Sequence, residues 1–151
     1  MISNFPVDKY KRPIKDLRIS VTDRCNFRCN YCMPAEIFGE SYKFLPRPEL
    51  LSFEEIERLA KIFAKLGVTK IRIAGGEPLV RRNIESLIQA LSNIKGINDL
   101  TMTTNGFLLS KYAKSLRDAG LNRLTVSLDS LDKEVFNEMS GVSHGPEKTL
   151  R

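Results

Sequence analysis

Three stretches of the chain, 67-GVTKIRIAGG-76, 96-GINDLTMTTN-105 and 120-GLNRLTVSLD-129, align without gaps and decide the fold. Each begins with glycine, which often ends a helix in the left-handed conformation. Each then alternates apolar and polar residues, as a half-buried strand does, and each follows a segment with helical apolar spacing. The repeated unit is therefore predicted to be helix, glycine, short turn and strand.

The remaining elements complete an alternating pattern. Ser52 and Glu55 predict a capping box at the start of the first helix, and Ser110 and Asp132 are predicted to cap two later helices. A further strand from Leu17 precedes a long loop. The order β, long loop, α and then three βα pairs predicts an α/β protein with a parallel sheet and right-handed crossovers.

Alternation along the strands separates an apolar face from a polar one. The apolar set should face the helices: Leu17, Ile19, Val21, Ile71, Ile73, Leu100, Met102, Leu124 and Val126. The opposite set is largely polar: Arg18, Ser20, Thr22, Arg72, Ala74, Thr101, Thr103, Thr125 and Ser127. Helices on both faces, or a filled barrel, would need apolar residues there. A curved sheet around a ligand-filled or wet cavity is therefore predicted, with a solvent-exposed open sheet as the alternative.

Four short motifs follow the strands and should meet at one rim. The cysteine loop follows the first strand, and the others are GGEP at 75–78, TNG at 104–106 and LDS at 128–130. Ligand sites of parallel sheets and barrels lie at this carboxyl end. The two glycines of GGEP would let backbone approach a bound group closely, and Glu77 could accept from a cationic amine.

All three cysteines fall within 24-RCNFRCNYC-32, spaced C-x3-C-x2-C: Cys25, Cys29 and Cys32. Such a cluster favours metal or redox chemistry over a disulfide framework. A structural zinc site needs a fourth ligand, and His144 is the only histidine, although a solvated loop suits it as well. A 4Fe-4S cluster held by three cysteines leaves one iron open to a ligand. Phe27 and Tyr31 would then shield the cluster, or simply pack within the loop.

Arg18 and Arg72 are both predicted to point into the cavity. A buried charge needs a partner, and the inner face of the predicted strands supplies no carboxylate. An anionic ligand such as a phosphate suits the guanidinium forks better than an internal ion pair does.

Composition sets broad limits. The chain has 151 residues, 42% hydrophobic and 28% charged, which is typical of one globular domain. Residues 1–16 form a polar extension without the apolar run of a signal peptide, and no stretch is long enough to span a membrane. A cytoplasmic protein without a membrane partner is expected. The net charge of +6 is scattered, which disfavours a nucleic-acid partner.

The cysteine motif after the first strand and GGEP after the second resemble the radical S-adenosylmethionine (SAM) superfamily. Longer strings narrow the resemblance: LRISVTDRCNFRCNYCMP, FLPRPELLSFEEIERLA, IRIAGGEPLVRR, TTNGFLL and LTVSLDSLD. They are similar to the GTP 3',8-cyclases of molybdenum-cofactor biosynthesis, from about Pro13 to about Gly141. Ala74 stands where that family usually carries threonine.

The resemblance implies cofactors, substrate and site residues. The three cysteines would ligate a 4Fe-4S cluster whose open iron binds SAM. The implied SAM residues are Tyr31, Gly75, Gly76 and Ser127, with Glu77 and Asn105 nearby. Those for GTP are Arg18, Arg72 and Thr103. A 5'-deoxyadenosyl radical would take hydrogen from C3' of GTP, and closure onto C8 would give 3',8-cyclo-7,8-dihydroguanosine triphosphate.

The resemblance also implies an incomplete fold. Family members are about twice as long, with a six-unit partial barrel and a second three-cysteine 4Fe-4S cluster that this chain does not encode. Residues 17–151 are therefore expected to form a partial parallel (β/α) barrel with about four of the six units, truncated before the C-terminal half. Its last strand should have an unpaired edge. The chain alone should bind the SAM cluster better than it catalyses.

The expected partners are GTP, an electron donor of unknown identity, and either a chain supplying the C-terminal half or a second copy of this one. Two other functions remain open. One is a different radical SAM enzyme, such as a peptide or cofactor maturase. The other is a non-catalytic binding module stabilised by zinc.

Overall fold

A computed structural model describes residues 5–150 and contains one four-stranded parallel sheet. The strands lie in chain order: β1 (Asp16–Ser20), β2 (Lys70–Ala74), β3 (Asp99–Thr104) and β4 (Arg123–Val126). The helices are α1 (Phe53–Lys65), α2 (Ile84–Ser92), α3 (Leu109–Asp118) and α4 (Lys133–Ser140). Short 3-10 turns occupy Arg47–Glu49, Pro78–Val80 and Pro146–Lys148. The alternating α/β order predicted from the repeats is confirmed.

The register keeps the apolar residues on one face. Ile71 pairs with Leu17 on one side and Leu100 on the other. Between β3 and β4 the register departs from the gapless alignment of the repeats. The alignment places Met102 beside Val126, whereas the structure pairs Met102 with Leu124. A displacement of two preserves the faces and staggers the sheet, as curvature towards a barrel requires.

The core lies between this apolar face and the first three helices. Ile71 and Ile73 of β2 are fully buried, as are Leu100 and Met102 of β3. They pack with the buried stripes of α1 and α2. In β4, by contrast, every residue is exposed. Within residues 5–150 no further strand pairs with the outer side of β4, so the predicted unpaired edge is confirmed for this part of the chain.

Two of the three predicted helix caps are confirmed. The Ser52 and Glu55 side chains each bond the other's backbone N–H, and the Asp132 carboxylate accepts from the first turn of α4. The prediction for Ser110 is wrong, because α3 begins one residue earlier, at Leu109. The Asn105 side chain accepts from the Phe107 N–H, and this turn leads directly into the helix.

The polar face of the sheet, opposite the helix-packed apolar face, is the open face. It differs from the prediction in two ways. Strands β1 and β3 start at Asp16 and Asp99, so this face does carry carboxylates; Asp16 pairs with Lys70 at 3.0 Å and Asp99 pairs with Arg123. Arg18 and Arg72 are exposed rather than buried, because four strands do not close a cavity over them. Neither arginine forms a salt bridge within the described residues.

The residues before β1 contact the sheet layer. Val7 and Pro13 form an antiparallel bridge, and the Lys15 carbonyl accepts from the Thr69 N–H at 3.0 Å. The first strand starts at Asp16, one residue before the predicted start of the core at 17. In the part of the chain that the structure describes, no helix has the length and apolar character needed to cross a membrane.

Candidate functional site

A cleft of about 220 Å³ lies at the carboxyl ends of the strands. Eleven of the twelve predicted site residues line it: Arg18, Cys25, Cys29, Tyr31, Cys32, Gly75, Gly76, Glu77, Thr103, Asn105 and Ser127. Phe27, Ala74 and Thr104 complete the lining. Only Arg72 lies outside, on the open sheet face. The convergence of the four loops on one rim is therefore confirmed.

The glycines of GGEP allow the second loop to pack against the cysteine loop. The Gly76 N–H donates to the Thr22 carbonyl at 2.7 Å, and the Glu77 N–H donates to the Arg24 carbonyl at 2.8 Å. Gly75 has a φ of 142°, and a Cβ there would lie 2.5 Å from the Thr22 carbonyl. A Cβ at Gly76 would collide with the Arg24 carbonyl. In this structure the two glycines therefore allow close approach of the chain's own backbone, at Thr22 and Arg24.

Glu77 anchors the second loop to the third strand. Its side chain is 1% exposed. One carboxylate oxygen accepts from the Thr104 hydroxyl at 2.8 Å and the Leu79 N–H at 3.0 Å; the other accepts from the Asn105 N–H at 2.7 Å. Burial raises the pKa of the Glu77 carboxyl, and these three donors oppose the shift. Since protein donors engage both oxygens, the structure indicates an orienting role.

The three thiols share the cleft but differ in exposure. Cys25 and Cys29 are half-buried, and Cys32 is exposed. Burial raises the pKa of the Cys25 and Cys29 thiols. All three cysteines line the same cleft.

The donor chemistry of the cleft fits an iron–sulfur cluster. Within residues 5–150, no three or more His, Cys, Asp or Glu side chains are placed to hold a metal ion in this conformation. The cleft nevertheless gathers three soft thiol donors, and the one carboxylate beside them is engaged by the protein. Thiolates are the ligands that such clusters take.

The C-terminal end of α4 supports the cysteine loop. The Arg28 N–H donates to the Ser140 carbonyl, and the Asn30 N–H to the Met139 carbonyl, each at 3.0 Å. The Arg28 guanidinium in turn donates to three carbonyls of the loop region: Cys25, Phe27 and Phe38, each at 2.8 Å. This support could not be predicted from the sequence, because no local pattern indicates which helix end a loop will contact.

His144 lies outside the cleft, in an aromatic cluster. Its ring centroid is 5.8 Å from that of Phe27 and 4.8 Å from that of Phe107. Its Nδ1 lies 2.8 Å from the Gly145 carbonyl oxygen. The structure therefore does not bring His144 to the thiols as a fourth ligand. Phe27 joins the two regions, since it lines the cleft and packs on this cluster.

Tyr31 reaches across the mouth of the cleft to the loop after β4. Its hydroxyl donates to the Asp129 carboxylate, with O–O distances of 2.9 and 3.1 Å. Partial loss of water around the hydroxyl, on a residue that is otherwise exposed, and the bond to Asp129 both raise the pKa of the Tyr31 phenol. Asp129 was not among the predicted site residues, although its place in the LDS motif at the rim was a usable signal.

Arg18 and Arg72 are register partners on neighbouring strands and so lie side by side. Like charges directly opposite one another destabilise a sheet unless something compensates them. Within the described residues, no carboxylate lies within salt-bridge distance of Arg18 or Arg72. Thr103 and Ser127 lie on the same open face, where β3 and β4 end.

Comparisons with known proteins identify the family. Residues 19–151 match the model of the radical SAM superfamily. A GTP 3',8-cyclase of Staphylococcus haemolyticus is 63% identical over 133 residues, which is 88% of this chain and 39% of that protein. The Staphylococcus aureus (strain Newman) GTP 3',8-cyclase is 58% identical over the same coverage. The chain thus spans about two fifths of the length of these curated relatives.

Solved structures give the same fold. SuiB of Streptococcus suis, in a crystal structure bound to S-adenosylmethionine, superposes with a TM-score of 0.69 at 25% identity, covering 91% of this chain and 30% of SuiB. HydG, a maturase of the [FeFe]-hydrogenase, superposes with a TM-score of 0.68 at 18% identity, covering 91% and 31%, and this similarity supports the fold alone. The family match and the shared partial α/β barrel show that this chain belongs to the radical SAM superfamily.

Proposed function

We propose that this chain carries the SAM-cleaving part of a GTP 3',8-cyclase, an enzyme of molybdenum-cofactor biosynthesis that acts in the cytoplasm. The observation that carries the proposal is the single cleft in which three cysteines meet the ends of all four strands. The identity of about 60% to proteins of that name supports the choice of reaction. Residues 17–151 form the radical SAM core in this proposal.

Three cysteines hold a 4Fe-4S cluster in this proposal: Cys25, Cys29 and Cys32. When bound, the cluster supplies the electron that cleaves SAM into methionine and a 5'-deoxyadenosyl radical. Tyr31, the GGEP glycines, Asn105 and Ser127 surround the SAM, and Glu77 orients the backbone between them. The bound state of SuiB, a structural relative, supports SAM as the ligand.

Arg18 and Arg72 bind the triphosphate of GTP. Paired guanidinium groups without a carboxylate partner match phosphate oxygens in geometry and charge. Thr103 lies two residues beyond Thr101, the register partner of Arg72, and lines the cleft with Arg18, so it would contact the nucleotide. In this proposal the substrate binds on the open face beside the SAM cleft, as hydrogen transfer from the GTP ribose requires.

The remaining parts of the reaction come from outside residues 5–150. A redox partner donates the electron, and either a C-terminal region or a second chain covers the open face and the β4 edge. A second 4Fe-4S cluster would need cysteines beyond the three that this sequence has.

Anaerobic reconstitution with iron and sulfide tests the cluster. The wild-type chain should gain about four irons and broad visible absorption, as expected for one 4Fe-4S cluster. Cys29→Ala should lose the absorption, whereas Ser41→Ala, an exposed residue later in the same loop, should retain it. Stoichiometric zinc without iron, or unchanged absorption in Cys29→Ala, would contradict the proposal.

Titration of the reconstituted, SAM-loaded chain with GTP tests the substrate assignment. Arg72→Ala should weaken GTP binding about tenfold or more, since it removes a charge-assisted contact to phosphate. SAM binding should be unchanged. Arg58→Ala, an exposed arginine on α1, is the matched control. Equal GTP affinity in the wild type and Arg72→Ala would exclude this phosphate site.

A further inference from the structure

We propose that Asp129 is a positioning residue for Tyr31. Its carboxylate holds the phenol of the cysteine loop at the opposite rim of the cleft, so that the ring closes the space in which SAM binds. The inference rests on the proposed function, which makes Tyr31 a SAM residue. Asp129 acts through Tyr31 and does not touch the reacting atoms.

Tyr31 needs an anchor because little packing fixes it. The side chain is 61% exposed, and the residue lies between two cluster cysteines in a tight turn. In that turn the Cys32 and Met33 N–H groups both donate to the Cys29 carbonyl. The hydroxyl bonds to both carboxylate oxygens of Asp129, and bonds to an ionised acceptor are stronger than neutral ones.

Asp129 is itself well placed to serve as an anchor. The Ser127 N–H donates to the Thr104 carbonyl at 2.8 Å, which fixes the start of the loop after β4. Within residues 5–150 the Asp129 carboxylate accepts no hydrogen bond other than those from Tyr31 and forms no salt bridge. No ion pair therefore fixes the position of the Asp129 carboxylate, and the phenol is its hydrogen-bond partner.

The contact completes a ring of loops around the cleft. On the outer side, the backbone at Arg28 and Asn30 is held by the end of α4. On the cleft side, the bond from Tyr31 to Asp129 joins residues 98 positions apart and links the loop of the first strand to that of the fourth. Removing the carboxylate should free the ring while leaving the outer backbone contacts in place.

The first test measures SAM affinity and iron content of the anaerobically reconstituted chain, by equilibrium dialysis and iron assay. Asp129→Ala should weaken SAM binding about five- to tenfold without loss of iron, as expected for one charge-assisted bond. Tyr31→Phe should match it, and the double variant should be no worse than either, because both remove the same interaction. Asp129→Asn, which retains one acceptor oxygen, should recover part of the affinity.

Asp118→Asn is the matched control, since it removes an exposed carboxylate far from the cleft. Wild-type affinity in Asp129→Ala would overturn the inference. So would a double variant whose loss is the product of the two single losses, because Asp129 would then act independently of Tyr31.

The second test needs neither cluster nor SAM. Amide hydrogen exchange of the cluster-free chain should accelerate at Cys32 and Met33 in Asp129→Ala and Tyr31→Phe alike, while the Arg28 and Asn30 amides keep their protection. Exchange in Asp118→Asn should match the wild type at all four amides. Unchanged amide exchange in Asp129→Ala would overturn the inference that Asp129 positions Tyr31. If the wild-type chain loads iron but binds no SAM, the proposed function fails, and the exchange data still decide whether the anchor exists.

Discussion

Strands β2 and β4 belong to two copies of the same sequence repeat, yet they lie in opposite environments. Ile71 and Ile73 of β2 are 0% exposed, whereas the equivalent Leu124 and Val126 of β4 are 38% and 39% exposed. The loops that follow differ likewise: Glu77 after β2 is buried, and Asp129 after β4 is exposed. Strand pattern alone therefore sets which face a residue takes, while the neighbours of the strand decide whether that face is covered.

The largest expected effect comes from the β2 core. Ile73→Ala should lower the free energy of unfolding by about 3 kcal/mol, since it removes buried methyl groups and leaves a cavity. Leu124→Ala, at an apolar position of β4, should cost less than about 1 kcal/mol. Urea denaturation followed by circular dichroism measures both, and Ile73→Val extends the comparison if Ile73→Ala fails to fold. Equal losses at the two sites would show that β4 is covered in solution.

The buried carboxylate after β2 should come next. Glu77→Gln should cost about 2 kcal/mol, because an amide cannot accept all three hydrogen bonds from the surrounding donors. Asp129→Asn, its exposed counterpart after β4, should change the unfolding midpoint little. A Glu77→Gln chain as stable as the wild type would mean that these donors find other acceptors. The readout is again the urea midpoint at constant slope.

The glycine contact between the first two loops should have a smaller effect. Gly76→Ala should cost about 1.5 kcal/mol, since the added methyl group meets the Arg24 carbonyl and forces the loops apart. In the gapless alignment this position corresponds to Asp129, where Asp129→Ala should leave thermal stability nearly unchanged. Differential scanning calorimetry of the two variants makes the comparison. A neutral Gly76→Ala would imply that the cysteine loop can shift freely.

The smallest effect concerns the ion pair between Asp99 and Arg123 on the β3–β4 pair. The hydrogen bond from the Arg123 guanidinium lowers the pKa of the Asp99 carboxyl from its ordinary value. A lowered pKa means that the stabilisation is present above the unfolded-state value and is lost as pH falls through the folded-state value. Asp99→Asn should therefore lower Tm by about 1–2 °C at pH 7.

That difference in Tm should disappear on the acidic side of the folded-state pKa. Thermal melts of both proteins over a pH series measure it. A difference that persists in acid would assign the effect of Asp99→Asn to side-chain packing instead of charge.

Much of the fold could be predicted from the sequence because it depends on local pattern. The three glycine-led repeats predicted the strands, and alternation predicted their faces even where β3 and β4 are displaced by two residues. The cysteine spacing and the rim motifs predicted most of the residues that line the cleft. These features need only neighbours in sequence or the common direction of parallel strands.

Most of the missed features depend on contacts between distant parts of the chain. The Ser110 cap is the exception, since a local turn at Asn105 leads into a helix that starts at Leu109. Arg18 and Arg72 are exposed because closure of a barrel depends on more than the four strands present. The three donors to Glu77, and the phenol that reaches Asp129, come from side chains and amides whose meeting depends on the packed sheet.

The support of the cysteine loop by the end of α4 sets an order of events during synthesis. The thiols leave the ribosome long before the Met139 and Ser140 carbonyls that hold their loop. Until α4 is made, the loop lacks these acceptors. We therefore expect iron and sulfide to be captured stably only after α4 has folded, and not as soon as the three cysteines have been synthesised.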